Sequence, residues 1–191
     1  INLKLTDRVY QIKESKIFKG YLYVRSKNGI FIVSKKNPDK FKILKNIKSA
    51  QYINELSSKN EIWFAVQKKG VYRIKLKSDD LELTNQSEIK IYDDSYLQKK
   101  GKIKIFKIYD KLIFKTQDKI YQFNEEKESF DISNIFESVP NIKNKVILRI
   151  KETNNNKYWI NFTERKNDQR VQTFYELDQS LTVKKLPFNS L

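Results

Sequence analysis

The chain contains no cysteine and no histidine, and only four glycines and three prolines among its 191 residues. Without cysteine there is neither a disulfide framework nor a thiolate nucleophile, and the redox compartment stays open. Without histidine the Ser-His-Asp and Cys-His nucleophile systems and the usual zinc sites are excluded. The glycines are too scattered to build a phosphate-cradling loop. No stretch approaches the ~20 apolar residues of a membrane-spanning helix, and no charged, apolar and small-residue leader opens the chain. The first residue is Ile1 rather than methionine, and the chain reads as a mature or excised piece.

What is abundant is positive charge. Lysine and arginine number 39 against 23 aspartates and glutamates, a formal charge of +16, and a field of that size attracts polyanions. Nucleic acid is disfavoured as the partner. There is no recognition helix, zinc finger or RNP-type aromatic-glycine motif, and the lysines are spread along the whole chain instead of forming one stripe with exposed aromatics between them. Aromatic residues make up 13% of the chain and isoleucine and valine recur in short runs, which suits pleated, half-buried strands. The fold class is all-β.

The strands repeat. One hairpin occurs as "YLYVRSKNGIFIV" from Tyr21, "EIWFAVQKKGVYRI" from Glu61, "KLIFKTQDKIYQF" from Lys111 and "KYWINFTERKNDQRVQTFYEL" from Lys157. Its second apolar position is Tyr23, Trp63, Ile113 and Trp159, so successive copies lie 40, 50 and 46 residues apart by subtraction. That period is the one expected of propeller blades, about 40–50 residues. A strand precedes each hairpin, at Val9, Ala50, Lys102 and Val146, and another follows, at Phe41, Leu81, Phe130 and Leu181. Four strands per unit make a blade, which predicts blades over residues 9–46, 50–85, 102–134 and 146–186 of a single β-propeller segment. The stretches "DSYLQ" at Asp94 and "SNIFES" at Ser133 are the only candidates for a helical turn.

Ile62-Trp63-Phe64-Ala65-Val66 with Gly70-Val71-Tyr72-Arg73, and Leu22-Tyr23-Val24-Arg25-Ser26 with Gly29-Ile30-Phe31, resemble the repeats of the two-component regulator propeller family. Leu112 to Thr116 with Lys119-Ile120-Tyr121, and Tyr158 to Phe162, are looser copies. The family's small glycine is replaced by Arg25, Ala65, Lys115 and Asn161. The resemblance spans about residues 9 to 186 and implies a periplasmic sensor propeller of a hybrid two-component system that governs polysaccharide use. The β-sandwich and kinase that follow in that family are not in this sequence.

The opening "INLKL", Ile1 to Leu5, alternates like a strand but has no partner among the four units, and it reads as the last strand of a neighbouring blade. The four blades are therefore expected to be part of a larger propeller, since a closed ring would not need a further strand with an open edge. In a propeller the turns between second and third strands lie on one face around the channel. Here they are cation-rich, which singles out Lys27, Lys68, Lys69, Lys119 and Arg165 as contacts for an anionic ligand. No catalytic residue, metal ligand or cofactor is assigned; Asp93 and Asp94 alone do not meet the 6–8 oxygens calcium needs. The strand tryptophans Trp63 and Trp159 are expected in blade cores. The sequence thus points to a non-catalytic binding or sensor module for an oligosaccharide, an acidic one by its charge, with a structural propeller of a cell-envelope assembly as the alternative. Asp110, Asp118 and Glu164 are the carboxylates a third reading, a hydrolase, would have to bring together.

Overall fold

The computed structural model describes residues 8–39, 41–43, 50–66, 69–77, 88–93, 95–97 and 102–189. It contains four sheets, each of four antiparallel strands hydrogen-bonded in chain order. Blade one comprises β1 (Val9–Glu14), β2 (Tyr21–Ser26), β3 (Gly29–Ser34) and β4 (Phe41–Ile43). Blade two comprises β5 (Ala50–Leu56), β6 (Glu61–Val66), β7 (Gly70–Lys75) and β8 (Glu88–Tyr92). Blade three runs through β9 (Lys104–Ile108), β10 (Lys111–Lys115), β11 (Ile120–Asn124) and β12 (Ser129–Ile132). Blade four runs through β13 (Val146–Glu152), β14 (Tyr158–Lys166), β15 (Gln169–Leu177) and β16 (Val183–Asn189).

Each meander exists because alternate side chains of its strands are apolar and point to one face, which must be covered by the next blade. Three apolar cores result. The first joins Tyr23, Ile30 and Ile32 of blade one to Ile53, Ile62 and Phe64 of blade two. The second joins Trp63, Val71 and Tyr92 to Ile105, Leu112 and Phe114 of blade three. The third joins Ile108, Ile113 and Ile120 to Ile147, Ile160 and Phe162 of blade four. The first strands lie innermost: β9 touches both β5 and β13, and all four first strands line one central cavity.

Two sequence expectations change. The fourth strand of blade two is Glu88–Tyr92, paired with β7 from Val71↔Tyr92 to Lys75↔Glu88, so this blade extends past residue 85. The "LEL" at Leu81, like Ile1 to Leu5, Asp94 and Lys68, lies outside the described residues. The hairpin of blade four is also longer than its cations suggested. Strand pairing continues to Lys166↔Gln169, closed by Asn167 and Asp168 at φ 47° and 61°. Both central residues of such a two-residue loop need positive φ, and Asn and Asp tolerate it.

Gly70, which opens β7, is fixed by contact rather than by its turn. Its φ is 98°, and a Cβ there would stand 1.9 Å from the Tyr92 carbonyl oxygen. Gly70→Ala is expected to destabilise the chain by more than about 1 kcal/mol, read as a lower denaturant midpoint with an unchanged slope.

Candidate functional site

The end of the blades at which each first strand begins and each second strand ends carries a cavity of about 400 Å³, at the mouth between blades one and two. Tyr10 comes from the start of β1, Arg25 and Ser26 from the end of β2, and Lys27 from the turn that follows. Ala50, Gln51 and Tyr52 come from the start of β5, and Lys102 from the approach to β9. The local backbone explains the arrangement. The β1–β2 ladder slips between Val9 and Gln11, and the β5–β6 ladder slips between Gln51 and Asn54, where Tyr52 adopts φ 51°. Such bulges re-aim side chains, and a bulky residue at positive φ persists only where its surroundings impose it.

The electrostatics of the mouth are one-sided. The Arg25 guanidinium lies 4.9 Å from the Tyr10 ring centroid and Arg8 lies 5.6 Å from it, so the ring orients two cations. Arg25 donates from Nη1 to the Ala50 carbonyl oxygen at 3.1 Å, while its buried Nε has no hydrogen-bond partner among the described residues. Among the described residues no carboxylate pairs with Arg25 or Lys27. Burial lowers the Arg25 pKa, the mark of a guanidinium withdrawn from water without a counter-ion.

Of the four cations singled out in the sequence that lie among the described residues, the structure brings only Lys27 to this cavity. Lys69 is exposed in the turn before β7 and Lys119 in the turn before β11, each on its own blade. Arg165 is exposed within β14, directly opposite Arg170, rather than in a turn. Tyr10, Arg25 and Tyr52 line the cavity as well and were not singled out in the sequence. The available signal was strand register: Arg25 lies two residues before Lys27 at the end of β2, and Tyr10 lies second in β1, the strand hydrogen-bonded to it.

Tyr52 also borders the central cavity, of about 680 Å³, lined by Gln11, Lys13, Asn54, Glu55, Lys107 and Arg149 among others. Its charges are largely committed. Lys13 Nζ donates to Asn54 Oδ1 at 3.0 Å, and Asn54 Nδ2 donates to the Ile105 carbonyl oxygen at 2.9 Å, which ties three first strands together. Burial pulls the Lys13 pKa down, against the attraction of Glu55. Glu55 accepts from Ser15 Oγ at 2.7 Å and from the Lys16 amide at 2.8 Å, and so holds the first turn of blade one against blade two.

The three carboxylates named for hydrolysis are dispersed. Asp110 lies in the turn before β10 and Asp118 in the turn after it, so a five-residue strand, about 17 Å, stands between them. Glu164 is buried on β14 and accepts from Lys145 Nζ at 2.7 Å, with Lys166 Nζ at 3.2 Å. The Lys145 hydrogen bond holds the Glu164 carboxyl below its usual range, against the opposing effect of burial. A depressed folded pKa contributes stability that is complete above the unfolded value, about 4.3, and is lost as pH falls through the folded value. Stability is therefore expected to drop on the acid side of about pH 4.3, and Glu164→Gln to flatten that drop in melting temperatures measured across pH.

No family model matches the chain, and no curated protein matches it. Among solved structures it is similar to the extracellular domain of BT4673 from B. thetaiotaomicron, described there as a one component system, with TM-score 0.62 and 15% identity over 93% of this chain and 22% of that one. A second structure of that domain, described as a hybrid two component system, gives TM-score 0.60 at 15% identity over the same shares. The tricorn protease gives TM-score 0.53 at 9% identity over 94% of this chain and 18% of that one. The chain is thus a four-bladed β-propeller segment folded like part of a two-component sensor's extracellular domain, in agreement with the resemblance in its repeats. It spans about a fifth of the length of these chains, and at such identities the likeness is one of fold. Among the described residues no helix is long and apolar enough to cross a membrane.

Proposed function

We propose that the chain is a non-catalytic binding module of a sensor ectodomain, and that it takes an acidic oligosaccharide at the mouth between blades one and two. The observation that carries this reading is the guanidinium of Arg25, packed on Tyr10 beside Lys27 in a 400 Å³ cavity and paired with no carboxylate among the described residues. A planar guanidinium without a carboxylate partner suits a carboxylate or sulfate group, and the neighbouring tyrosines offer edges for a sugar ring. The Tyr10 ring orients cations, so charge rather than stacking sets the preference. Placement in the periplasm or cell envelope of a bacterium follows the same sensor reading. A ligand that binds one arrangement of the blades better than another would shift that equilibrium and pass the signal to the attached partner.

The test is a calorimetric titration with uronic-acid and sulfated oligosaccharides beside neutral ones of equal length. The acidic probes are expected to bind and to weaken with salt. Lys27→Glu with Arg8→Glu is expected to lower their affinity by about tenfold, ~1.4 kcal/mol, and to flatten the salt dependence. Equal binding of neutral and acidic sugars, or an unchanged affinity in the double variant, would contradict the reading. A structural propeller in an envelope assembly is the second reading, and what favours it is the exposure of Ile12, Ile91 and Trp159 away from the mouth.

A further inference from the structure

The mouth uses Lys27 and leaves Arg165, the hairpin cation of blade four, without a role. Counted from the second apolar position of the repeat, the second strands of blades one, two and three run on by three, three and two residues, from Tyr23 to Ser26, Trp63 to Val66 and Ile113 to Lys115. In blade four the run from Trp159 to Lys166 is seven residues. The four residues gained over the longest of the others amount to about 13 Å at ~3.3 Å per residue. They project from the end of the blades that carries the mouth, because the second strands end there. A neighbouring blade of ordinary length would stop below them.

The projecting hairpin carries Arg165, Lys166 and Arg170, all exposed. Arg165 stands directly opposite Arg170 in the ladder, and like charges so placed destabilise a strand pair. The hairpin's own carboxylates do not offset them. Glu164 is buried and taken by Lys145 and Lys166, and Asp168 holds the tip of the loop at φ 61°. Among the described residues neither Arg165 nor Arg170 forms an ion pair.

A further cation stands beside the hairpin. Lys104, half-buried at the start of β9, donates from Nζ to the Ile147 carbonyl oxygen at 2.9 Å, across the junction of blades three and four. It pairs with no carboxylate among the described residues. Burial pulls its pKa down, and the neighbouring charges of Lys102 and then Arg170 pull it further. A half-buried ammonium set among other cations is a charge that an incoming anion relieves. Lys102 in turn lines the mouth, so the cations follow in series from Arg25 and Lys27 through Lys102 and Lys104 to Arg170.

We infer that the blade-four hairpin is a second arm of the binding site, and that Lys104, Arg165 and Arg170 hold a second acidic group of the ligand whose first group lies at Arg25 and Lys27. This rests on the mouth being the binding site. It narrows the ligand to a chain with sulfate or carboxylate groups on successive sugars, because a sugar with one acidic group engages only one arm. Two facing guanidiniums suit such groups in bidentate contacts. Joining two acidic groups in one chain makes the second contact intramolecular, so length adds affinity without new chemistry.

The experiment is a calorimetric titration of the whole chain with chondroitin sulfate fragments of two, four and eight sugars. Affinity is expected to rise by about tenfold or more from the shortest fragment to the longest, with a steeper salt dependence. Arg165→Gln combined with Arg170→Gln, and separately Lys104→Gln, are each expected to bring the eight-sugar fragment down to the affinity of the two-sugar one. The melting temperature of the arginine variant is expected to hold or rise, since a like-charge pair is removed, whereas a merely structural role for the two arginines would lower it. Lys27→Glu is expected to weaken fragments of every length. Equal affinity of all fragments, or a length effect that survives both variants, would overturn the second arm, while the loss in Lys27→Glu would leave the mouth standing. A Lys27→Glu chain that binds the two-sugar fragment as the parent does would overturn the mouth, and the arm with it.

Discussion

Trp63→Ala is expected to cost about 3–5 kcal/mol, a large part of the ~5–15 kcal/mol that holds a domain together. The same change at Trp159, which is 47% exposed, is expected to cost under about 1 kcal/mol. The two residues occupy the same place in the repeat, and only their surroundings differ. Trp63 is fully buried, stacks on Tyr92 at 5.9 Å, and meets Phe114 edge-on at 5.5 Å and Phe123 at 4.9 Å. Its Nε1 donates to Glu61 Oε2 at 2.9 Å, so the polar end of the ring is satisfied. Removing the side chain opens a cavity between two rigid sheets that cannot collapse. Urea midpoints of the two variants decide the matter: equal losses would mean that the second core does not bear the weight assigned to it.

Arg73→Ala is expected to cost about 3–5 kcal/mol. Arg73 lies on β7, buried, with Nη2 donating to both Glu61 and Glu125, and so joins blade two to blade three. Its Nε and Nη1 have no well-formed hydrogen bond among the described residues and face aromatic rings, with the guanidinium 5.1 Å from the Trp63 ring centroid and 5.0 Å from that of Phe123. Truncating it leaves the buried Glu61 carboxylate without a cation, and the uncompensated charge, rather than the lost pair, sets the size of the effect. Arg73→Met combined with Glu61→Gln is therefore expected to regain most of the loss, because the amide oxygen can still accept from Trp63 Nε1. If the double variant is as unstable as Arg73→Ala, packing on the rings and not the ion pair is what Arg73 supplies. A double-mutant cycle in urea separates the two.

The repeat was legible because blade formation is written in local alternation and in a period, both of which survive low sequence similarity. The strands of the four hairpins and the core placement of Trp63 follow directly. The fourth strand of blade two was harder, since Leu81-Glu82-Leu83 and Ile89-Lys90-Ile91 alternate equally well and only pairing with β7 selects the second. Trp159 was misplaced for a related reason. A motif records which face a side chain points to, but whether another blade stands on that face is a property of the assembly.

The candidate site was the least legible part. Turn lysines stand out in a sequence, whereas the mouth is built from the beginnings of first strands and the end of a second strand, residues about 15 and 40 positions apart that the blade angle brings together. Lys27 was singled out because it lies in a turn. Tyr10, Arg25 and Tyr52 were not, because each looks like an ordinary strand residue until the bulges that aim it are known.

Hydrogen exchange with and without a sulfated oligosaccharide decides whether the mouth is the binding site, because it reports where a ligand sits as well as whether it binds. Added protection is predicted at residues 8–10, 25–28 and 50–52, the three segments that frame the mouth, with Lys27→Glu reducing all three together. Protection confined to the turns around Lys16 and Asp110 at the other end of the blades, or none at any concentration of the sugar, would rule out the mouth as the binding site.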